Sequence, residues 1–211
     1  MSIRHRYPQT PMTMAEIGAA YDARALEYID LFGTIDQMPE TDRDAITRWR
    51  DTTSGRLLDA GCGPGHWSAH LSQDGLRDVV GVDASADFVA AARERFPELS
   101  FSRADLASLP LEDDSVGGIL AWYSLIHTPP AGLPAILKEL VRVLAPGGSI
   151  LIGFFDGEPG EPFDHAVHTG YRWTPDALGG LLAPHGLTVK SSSTRQDPGA
   201  RRRHGDLLAS R

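Results

Sequence analysis

The chain has 211 residues, is 41% hydrophobic and 23% charged, and carries a formal net charge of −8. That size and balance fit one globular domain with a single sizeable core. The acidic excess argues against a general nucleic-acid binder, which needs a basic face to neutralise phosphates, and no apolar run approaches the ~20 residues that span a bilayer. Cys62 is the only cysteine, so no intrachain disulfide can form. Met1 to Arg6 contain basic residues without an apolar stretch behind them, and a cytoplasmic location is expected. The basic cluster Arg201-Arg202-Arg203 lies between Gly199 and Gly205 and reads as a solvated turn rather than a phosphate-binding patch.

In chain order, residues 1–11 read as poorly ordered unless they dock on something. From Thr13 to Phe32 the pattern predicts a helix, with Ile17, Tyr21, Leu26 and Ile29 on or near one face. A second short helix is expected from Thr41 to Trp49, capped by Thr41 or Asp42. The chain then alternates in the βα manner. Strands are expected near residues 56–60, 79–83, 99–103, 117–121 and 149–155, and helices near 65–73, 85–95, 132–144 and 174–183. Pro146-Gly147-Gly148 stops a helix and turns the chain into the apolar run Ser149 to Phe155. A last strand pair is expected near 187–195 and 206–210.

The most informative segment is Leu-Leu-Asp-Ala-Gly-Cys-Gly-Pro-Gly, residues 57–65, followed by a helix opening at His66. Glycine at every second position, Gly61, Gly63 and Gly65, lets the backbone turn sharply and approach a ligand without a Cβ in the way. Asp83 closes the next apolar strand at close to the ~20-residue spacing of a ribose-binding acid. A nucleoside-bearing cofactor lying across the carboxyl ends of a parallel sheet is therefore predicted. The nicotinamide fingerprint G-x-G-x-x-G would need glycine where His66 stands. An NAD-dependent oxidoreductase consequently remains only an alternative.

The tighter G-x-G-x-G loop, with Asp59 two residues ahead, resembles motif I of the class I S-adenosylmethionine-dependent methyltransferases. Asp83 matches that family's ribose acid, Ala104-Asp105-Leu106 its adenine-contacting segment, and Arg142 to Gly148 the helix-turn before its fifth strand. The four matches fall in family order over roughly residues 55–155. The resemblance implies an α/β, Rossmann-like, doubly wound and mostly parallel seven-stranded sheet with a C-terminal antiparallel hairpin. It also implies an N-terminal helical lid over 1–50 and a cofactor-binding core over 51–211. The cofactor implied is S-adenosylmethionine, leaving as S-adenosylhomocysteine. Gly61, Cys62, Gly63 and Gly65 would offer backbone to its amino-acid head, helped by Asp59 and the amides opening the next helix. Asp83 would accept from the ribose hydroxyls, and Asp105 from the adenine, with Ala84, Ala104 and Leu106 around the ring. Ala121 and Trp122 would complete the site from the fourth strand. Each acid also has a structural alternative: Asp59 capping the turn, Asp83 starting the next helix, Asp105 a surface loop acid.

On the acceptor side the fourth strand runs into Ala121-Trp122-Tyr123-Ser124, where the family's amino-group methylases of DNA carry an Asn- or Asp-Pro-Pro-Tyr tetrad; Pro129-Pro130 comes too late to serve. That counts against methylation of a nucleic-acid base. Trp122 and Tyr123 can wall a sulfonium and a small acceptor through their ring faces. His127 is either a general base or a histidine bonded to a loop carbonyl. His165 beside Asp164 is a second candidate base, while His165 with His168 lacks a third ligand, so no metal is expected. Tyr21 and Tyr28 of the lid either face the pocket or pack the lid down. Phe155, Tyr171 and Trp173 are further substrate-wall candidates. The activity implied is in-line methyl transfer to an oxygen or nitrogen of a small organic molecule, with a base needed only where the acceptor loses a proton. A non-catalytic cofactor-binding sensor or partner subunit is the alternative of another class, and a homodimer is left open.

Overall fold

The computed structural model describes residues 13–211, so the expectation for residues 1–11 lies outside the described residues. Three helices come first: α1 (Met14–Asp22), α2 (Ala25–Phe32) and α3 (Glu40–Thr52). Then β1 (Leu57–Ala60), α4 (His66–Ser72), β2 (Val79–Asp83), α5 (Ala86–Arg95) and β3 (Ser100–Arg103) alternate. The second half contains β4 (Val116–Trp122), α6 (Leu133–Val143), β5 (Leu144–Asp156), the short pair β6 (Pro162–Phe163) and β7 (Gly170–Tyr171), α7 (Pro175–Leu182), β8 (Thr188–Arg195) and β9 (Arg203–Ser210). The main sheet has seven strands in the order β3-β2-β1-β4-β5-β9-β8. The first five are parallel, and β9 pairs antiparallel with both β5 and β8. This is the doubly wound sheet with a C-terminal antiparallel hairpin that the sequence predicts.

Side-chain alternation explains the layers. Leu58, Val80, Ile119, Ile150 and Ile152 point to one face and pack with α6 and α7 through Leu137, Leu140 and Leu178. Their neighbours Leu57, Val79, Leu120 and Leu151 point the other way, against Ile46 and Trp49 of α3 and Trp67 and Leu71 of α4. Helix α3 is thereby part of the core layer, its Trp49 Nε1 donating to Ser149 Oγ at 2.9 Å. Strand β8 closes one edge with an almost wholly exposed Thr-Val-Lys-Ser-Ser-Ser-Thr run, a polar edge unsuited to further pairing.

The single helix expected over 13–32 is instead two helices, broken at Ala23 and Arg24. No glycine or proline marks that break; it is tertiary. The Asp22 carboxylate accepts from Ser85 Oγ and from the Asp87 amide, pinning the end of α1 to the start of α5. The chain then turns so that Tyr28 packs on Phe88, ring centroids 5.1 Å apart. Strand β5 also begins earlier than expected. Leu144 pairs with Val116, the Pro-Gly-Gly segment loops out, and pairing resumes at Ser149 opposite Gly118. The chain winds outward through β2 and β3 on one side of β1 and through β4 and β5 on the other. That reversal opens a crevice at the carboxyl ends of β1 and β4. Among the described residues, no helix is long and apolar enough to cross a membrane.

Candidate active site

A cavity of about 380 Å³ occupies that crevice and runs beneath α1 and α2. One end is formed by the loop after β1. Gly61 (φ +84°) passes so close to Ser124 that a Cβ would stand 2.2 Å from the serine Cβ, whereas a Cβ on Gly63 (φ +52°) would meet nothing within 4 Å. Left-handed backbone with no side chain is what glycine supplies most readily. The Gly63 amide donates to Asp83 Oδ2 at 2.8 Å and the Ser85 amide to Oδ1 at 2.9 Å. Asp83 thus ties the glycine loop to the N-terminus of α5 while bordering the cavity, and each oxygen keeps a further lone pair. Burial raises its pKa, opposed by the amides of Ser85, Gly63 and Ala84.

Cys62, Ala84, Leu106 and Trp122 line the same end. Burial, with Asp83 and Asp59 nearby, pushes the Cys62 thiol up, which suits packing rather than nucleophilic attack. The hydroxyl of Ser124, also in the lining, is buried with no hydrogen-bond partner among the described residues. Open space over Gly63, spare acceptors on Asp83 and an orphaned hydroxyl fit a nucleoside with a polar amino-acid head.

The other end is aromatic and histidine-rich. Tyr123 sits just beyond β4 at φ +54°, a sparsely populated conformation for a bulky residue. Its amide donates to the Gly153 carbonyl at 3.0 Å, and its hydroxyl bonds His204 Nδ1 at 2.6 Å. Its ring lies 5.1 Å from that of Phe155. His127 is buried, and its Nδ1 lies 2.9 Å from the Thr169 carbonyl. A carbonyl can only accept, so Nδ1 carries the proton and Nε2 accepts from the Tyr21 hydroxyl at 3.0 Å. Burial holds the His127 pKa below the usual imidazole value, with the Thr169 carbonyl opposing, and burial pushes that of Tyr21 up. Both nitrogens of His127 are therefore engaged.

His165 lies beside it, ring centroids 4.9 Å apart, on the loop joining β6 to β7. Its Nδ1 receives only a long contact of 3.5 Å from the Val167 amide. Burial, with His127, Arg202 and Arg24 nearby, pushes its pKa down to about 4, leaving a neutral ring at pH 7. The loop is held from both sides, since Arg24 donates to the Ala166 carbonyl and Arg202 to the Asp164 carbonyl. The Tyr171 amide donates to the Ile126 carbonyl at 2.7 Å, fastening β7 to the His127 segment.

Behind Trp122 lies a buried ion pair that the sequence reading missed. Asp42 of α3 accepts from Trp122 Nε1 at 3.2 Å and pairs with Arg195 of β8. Burial raises the Asp42 pKa against the opposing pull of Arg195. Three distant elements meet there, so no local pattern signals it. His204, Phe88 and Trp67 are further lining residues without a sequence motif. His66 lines the cavity as well, buried, with both ring nitrogens unpartnered among the described residues and its pKa pushed down by burial to about 4.

Of the residues expected at the site, Tyr21, Gly61, Cys62, Gly63, Asp83, Ala84, Leu106, Trp122, Tyr123, His127, Phe155 and His165 share this one cavity. Others stand apart. Asp59 is 1% exposed, its carboxylate accepting from Ser68 Oγ at 2.6 Å, and burial raises its pKa to about 7. Asp105 is exposed, its Oδ1 accepting from the Ala107 amide at 2.8 Å. Gly65 starts α4 from below the loop, and Ala121 and Trp173 belong to the core cluster around α6 and α7. Ala104 packs on that cluster, and Tyr171 contributes backbone rather than a lining side chain. Among the described residues there is no group of three or more side chains placed to hold a metal ion.

Residues 57–148 match a family model described as a methyltransferase domain. A demethylmenaquinone methyltransferase of Beutenbergia cavernae is 38% identical over 142 residues, covering 67% of this chain and 55% of the relative. The chain spans about half the length of the curated relatives it matches. In three dimensions it resembles the Burkholderia thailandensis 1,6-didemethyltoxoflavin-N1-methyltransferase, crystallised with bound 1,6-didemethyltoxoflavin and S-adenosylhomocysteine. The TM-score is 0.76 at 21% identity, over 100% of this chain and 98% of that one. The cyclase SpnF shares the fold with a TM-score of 0.78 at 19% identity, over 95% of this chain and 97% of that one.

Proposed function

The chain belongs to the class I S-adenosylmethionine-dependent methyltransferases, and on that footing we propose that it transfers a methyl group from S-adenosylmethionine to an oxygen or nitrogen of a small organic molecule. The observation that carries the reading is a single cavity with two unlike ends. The glycine loop and Asp83 form one; Tyr123, Phe155, His127 and His165 form the other.

When bound, the cofactor supplies an electrophilic methyl on a sulfonium sulfur. Gly61 and Gly63 would seat its amino-acid head on bare backbone, Asp83 would accept from the ribose hydroxyls, and Leu106 would pack against the base. Ser124 would offer its unpartnered hydroxyl to the head group. At the far end the chain's contribution is alignment, which by proximity alone can supply ~7–11 kcal/mol. Tyr123 and Phe155 would orient the acceptor by their ring faces, and Tyr21 would close the cavity from α1 while holding the His127 ring. His165 accepts the Val167 amide at Nδ1 and so, as a neutral ring, carries its proton on Nε2, from which it would donate to the acceptor molecule and help hold it in line. The same reading puts the enzyme in the cytoplasm, acting on a free small molecule rather than nucleic acid.

The test is a screen of hydroxyl- and amine-bearing acceptors with S-adenosylmethionine, scored by S-adenosylhomocysteine release. Acceptor-dependent release supports the reading. Tight binding of both sulfur compounds with no release across the panel would leave a cofactor-binding protein in place of an enzyme.

A further inference from the structure

The run Arg201-Arg202-Arg203 is divided among three environments. Arg201 is exposed. Arg203 opens β9, pairs with Asp156 at 2.8 Å and donates to Thr194 Oγ1 at 3.0 Å. His204 stands opposite Phe155 in the β5–β9 ladder and lines the cavity. Alternation along an extended chain puts Arg202, two residues ahead of His204, on the same face and turns Arg203 the other way. The Arg202 guanidinium accordingly lies over the rings of Phe163 and Phe155, 4.7 and 5.5 Å from their centroids. Phe155 walls the acceptor end of the cavity, so a positive charge stands at that end.

Little answers this charge within the chain. Arg202 donates to the Asp164 carbonyl, a neutral group, and makes no ion pair among the described residues. A guanidinium is a fork of several N–H donors, and most of this one are unspent. Around the His165 loop, by contrast, Arg24 is paired with Glu27 at 2.8 Å and Arg172 with Glu161 at 3.1 Å. Burial lowers the Arg202 pKa, and Arg172 and Arg201 add to that effect against the opposing pull of the exposed Asp164. The second donor is His165, which lines the cavity 6.4 Å from the rings of Phe155 and Phe163. Its Nδ1 accepts the Val167 amide, so the proton of the neutral ring is on Nε2, where no described residue receives it. Two unspent donors of different kinds therefore flank one aromatic wall.

We propose that the acceptor is an aromatic carboxylate whose ring lies against Phe155 and Tyr123 and whose carboxylate is held by the Arg202 guanidinium and His165 Nε2–H. This rests on the methyl-transfer reading and narrows it to one substrate class. The rings of Phe155 and Tyr123 are 5.1 Å apart and tilted, a wall that takes a flat ring by offset or edge-to-face contact. One guanidinium and one neutral N–H match the single charge and paired oxygens of a carboxylate, whereas a phosphate monoester would be left under-neutralised. Stacking on Phe163 and Phe155 already orders the guanidinium, so little side-chain freedom is lost when it pairs. The carboxylate is a handle that sets the register of the molecule along the cavity. The methyl goes to a hydroxyl or amine elsewhere on the same molecule, because carboxylate lone pairs committed to two donors are poor nucleophiles.

The experiment uses the full chain saturated with S-adenosylhomocysteine, whose own binding is measured first by calorimetry. Naphthalene-2-carboxylate and naphthalene-2-carboxamide, one shape with and without charge, are then titrated by ligand-observed NMR at neutral pH. The carboxylate is expected to bind at least about tenfold more tightly than the amide, and added salt should weaken the carboxylate alone. In Arg202→Gln the preference should fall to about twofold or less, while the amide's own affinity reports whether the slot survives the substitution. Arg202→Lys, which keeps the charge without the fork, should restore part of the preference. Equal or tighter binding of the amide by the wild type overturns the proposal. So does a preference that survives intact in Arg202→Gln, or failure of either ring to bind at millimolar concentration with the cofactor product in place. Failure of S-adenosylhomocysteine itself to bind is a separate outcome and refutes the methyl-transfer reading instead.

Discussion

Replacing Asp83 by Asn keeps the size of the side chain and removes its charge. The carboxylate accepts one backbone amide on each oxygen, from Gly63 at 2.8 Å and Ser85 at 2.9 Å. A carboxamide has a single acceptor oxygen, so one of these amides would face the NH2 group. The loop therefore loses one charge-assisted hydrogen bond outright and weakens the other, a cost of about 1.5–3 kcal/mol. The ribose hydroxyls lose acceptor capacity in the same step, worth a further ~1–3 kcal/mol. S-adenosylhomocysteine should therefore bind about 10–100-fold more weakly or worse, on the scale of tenfold per 1.4 kcal/mol. Calorimetric titration measures the affinity, and thermal unfolding without ligand checks that the fold survives. Asp105→Asn serves as the contrast: that side chain is exposed and caps a turn through Oδ1, which an amide oxygen can still do. Its affinity should stay within about threefold of wild type. Asp83→Asn binding within twofold of wild type, in a folded protein, would refute the assignment of Asp83 as the hinge of the cofactor site.

The two loop glycines should separate in their effects. Gly61→Ala forces a Cβ to 2.2 Å from that of Ser124 and should lower the melting temperature sharply. Gly63→Ala meets nothing within 4 Å and should cost only the ~1–2 kcal/mol of a left-handed non-glycine residue while still weakening S-adenosylhomocysteine; equal melting temperatures for the two variants would contradict the geometry. His165→Ala removes an imidazole Nε2–H from the acceptor end and should slow transfer by about tenfold; an unchanged steady-state rate would contradict that positioning role. Asp59, raised to about 7 from 3.8, binds a proton in the folded state that it releases on unfolding across that interval, so its burial penalises the fold increasingly as pH rises from about 4 to about 7. Asp59→Asn should therefore gain melting temperature relative to wild type over that range, and a gap that narrows with rising pH would contradict the assignment.

The sheet and its order were legible because parallel strands buried on both faces read as short apolar runs between amphipathic helices, and because Gly61, Gly63 and Asp83 carry their meaning in local spacing. What was not legible depends on distant elements meeting. The break between α1 and α2 is set by Asp22 reaching Ser85 and Asp87, some 63 to 65 residues away. The Asp42–Arg195 pair behind Trp122 joins the first helical layer to the last hairpin. His204 enters the cavity only because β9 runs antiparallel to β5 and brings that residue opposite Phe155. His127 and His165 both stood out as candidate bases, and nothing in the sequence ranked them. Only the neighbours of each nitrogen fix where its proton sits: the Thr169 carbonyl puts that of His127 on Nδ1, and the Val167 amide puts that of His165 on Nε2. Asp59 and Trp173 show the converse. Residue type and position suggested the site, yet Asp59 is buried against Ser68 and Trp173 packs in the core around α7, both outside the cavity lining.

Calorimetric titration of the purified protein with S-adenosylmethionine, S-adenosylhomocysteine and NAD tests the central claim most directly. One-site saturable binding of both sulfur compounds, with no heat from NAD, is the predicted result. Binding of NAD in preference, or of neither sulfur compound, would contradict the cofactor assignment from which the rest of the mechanism is built.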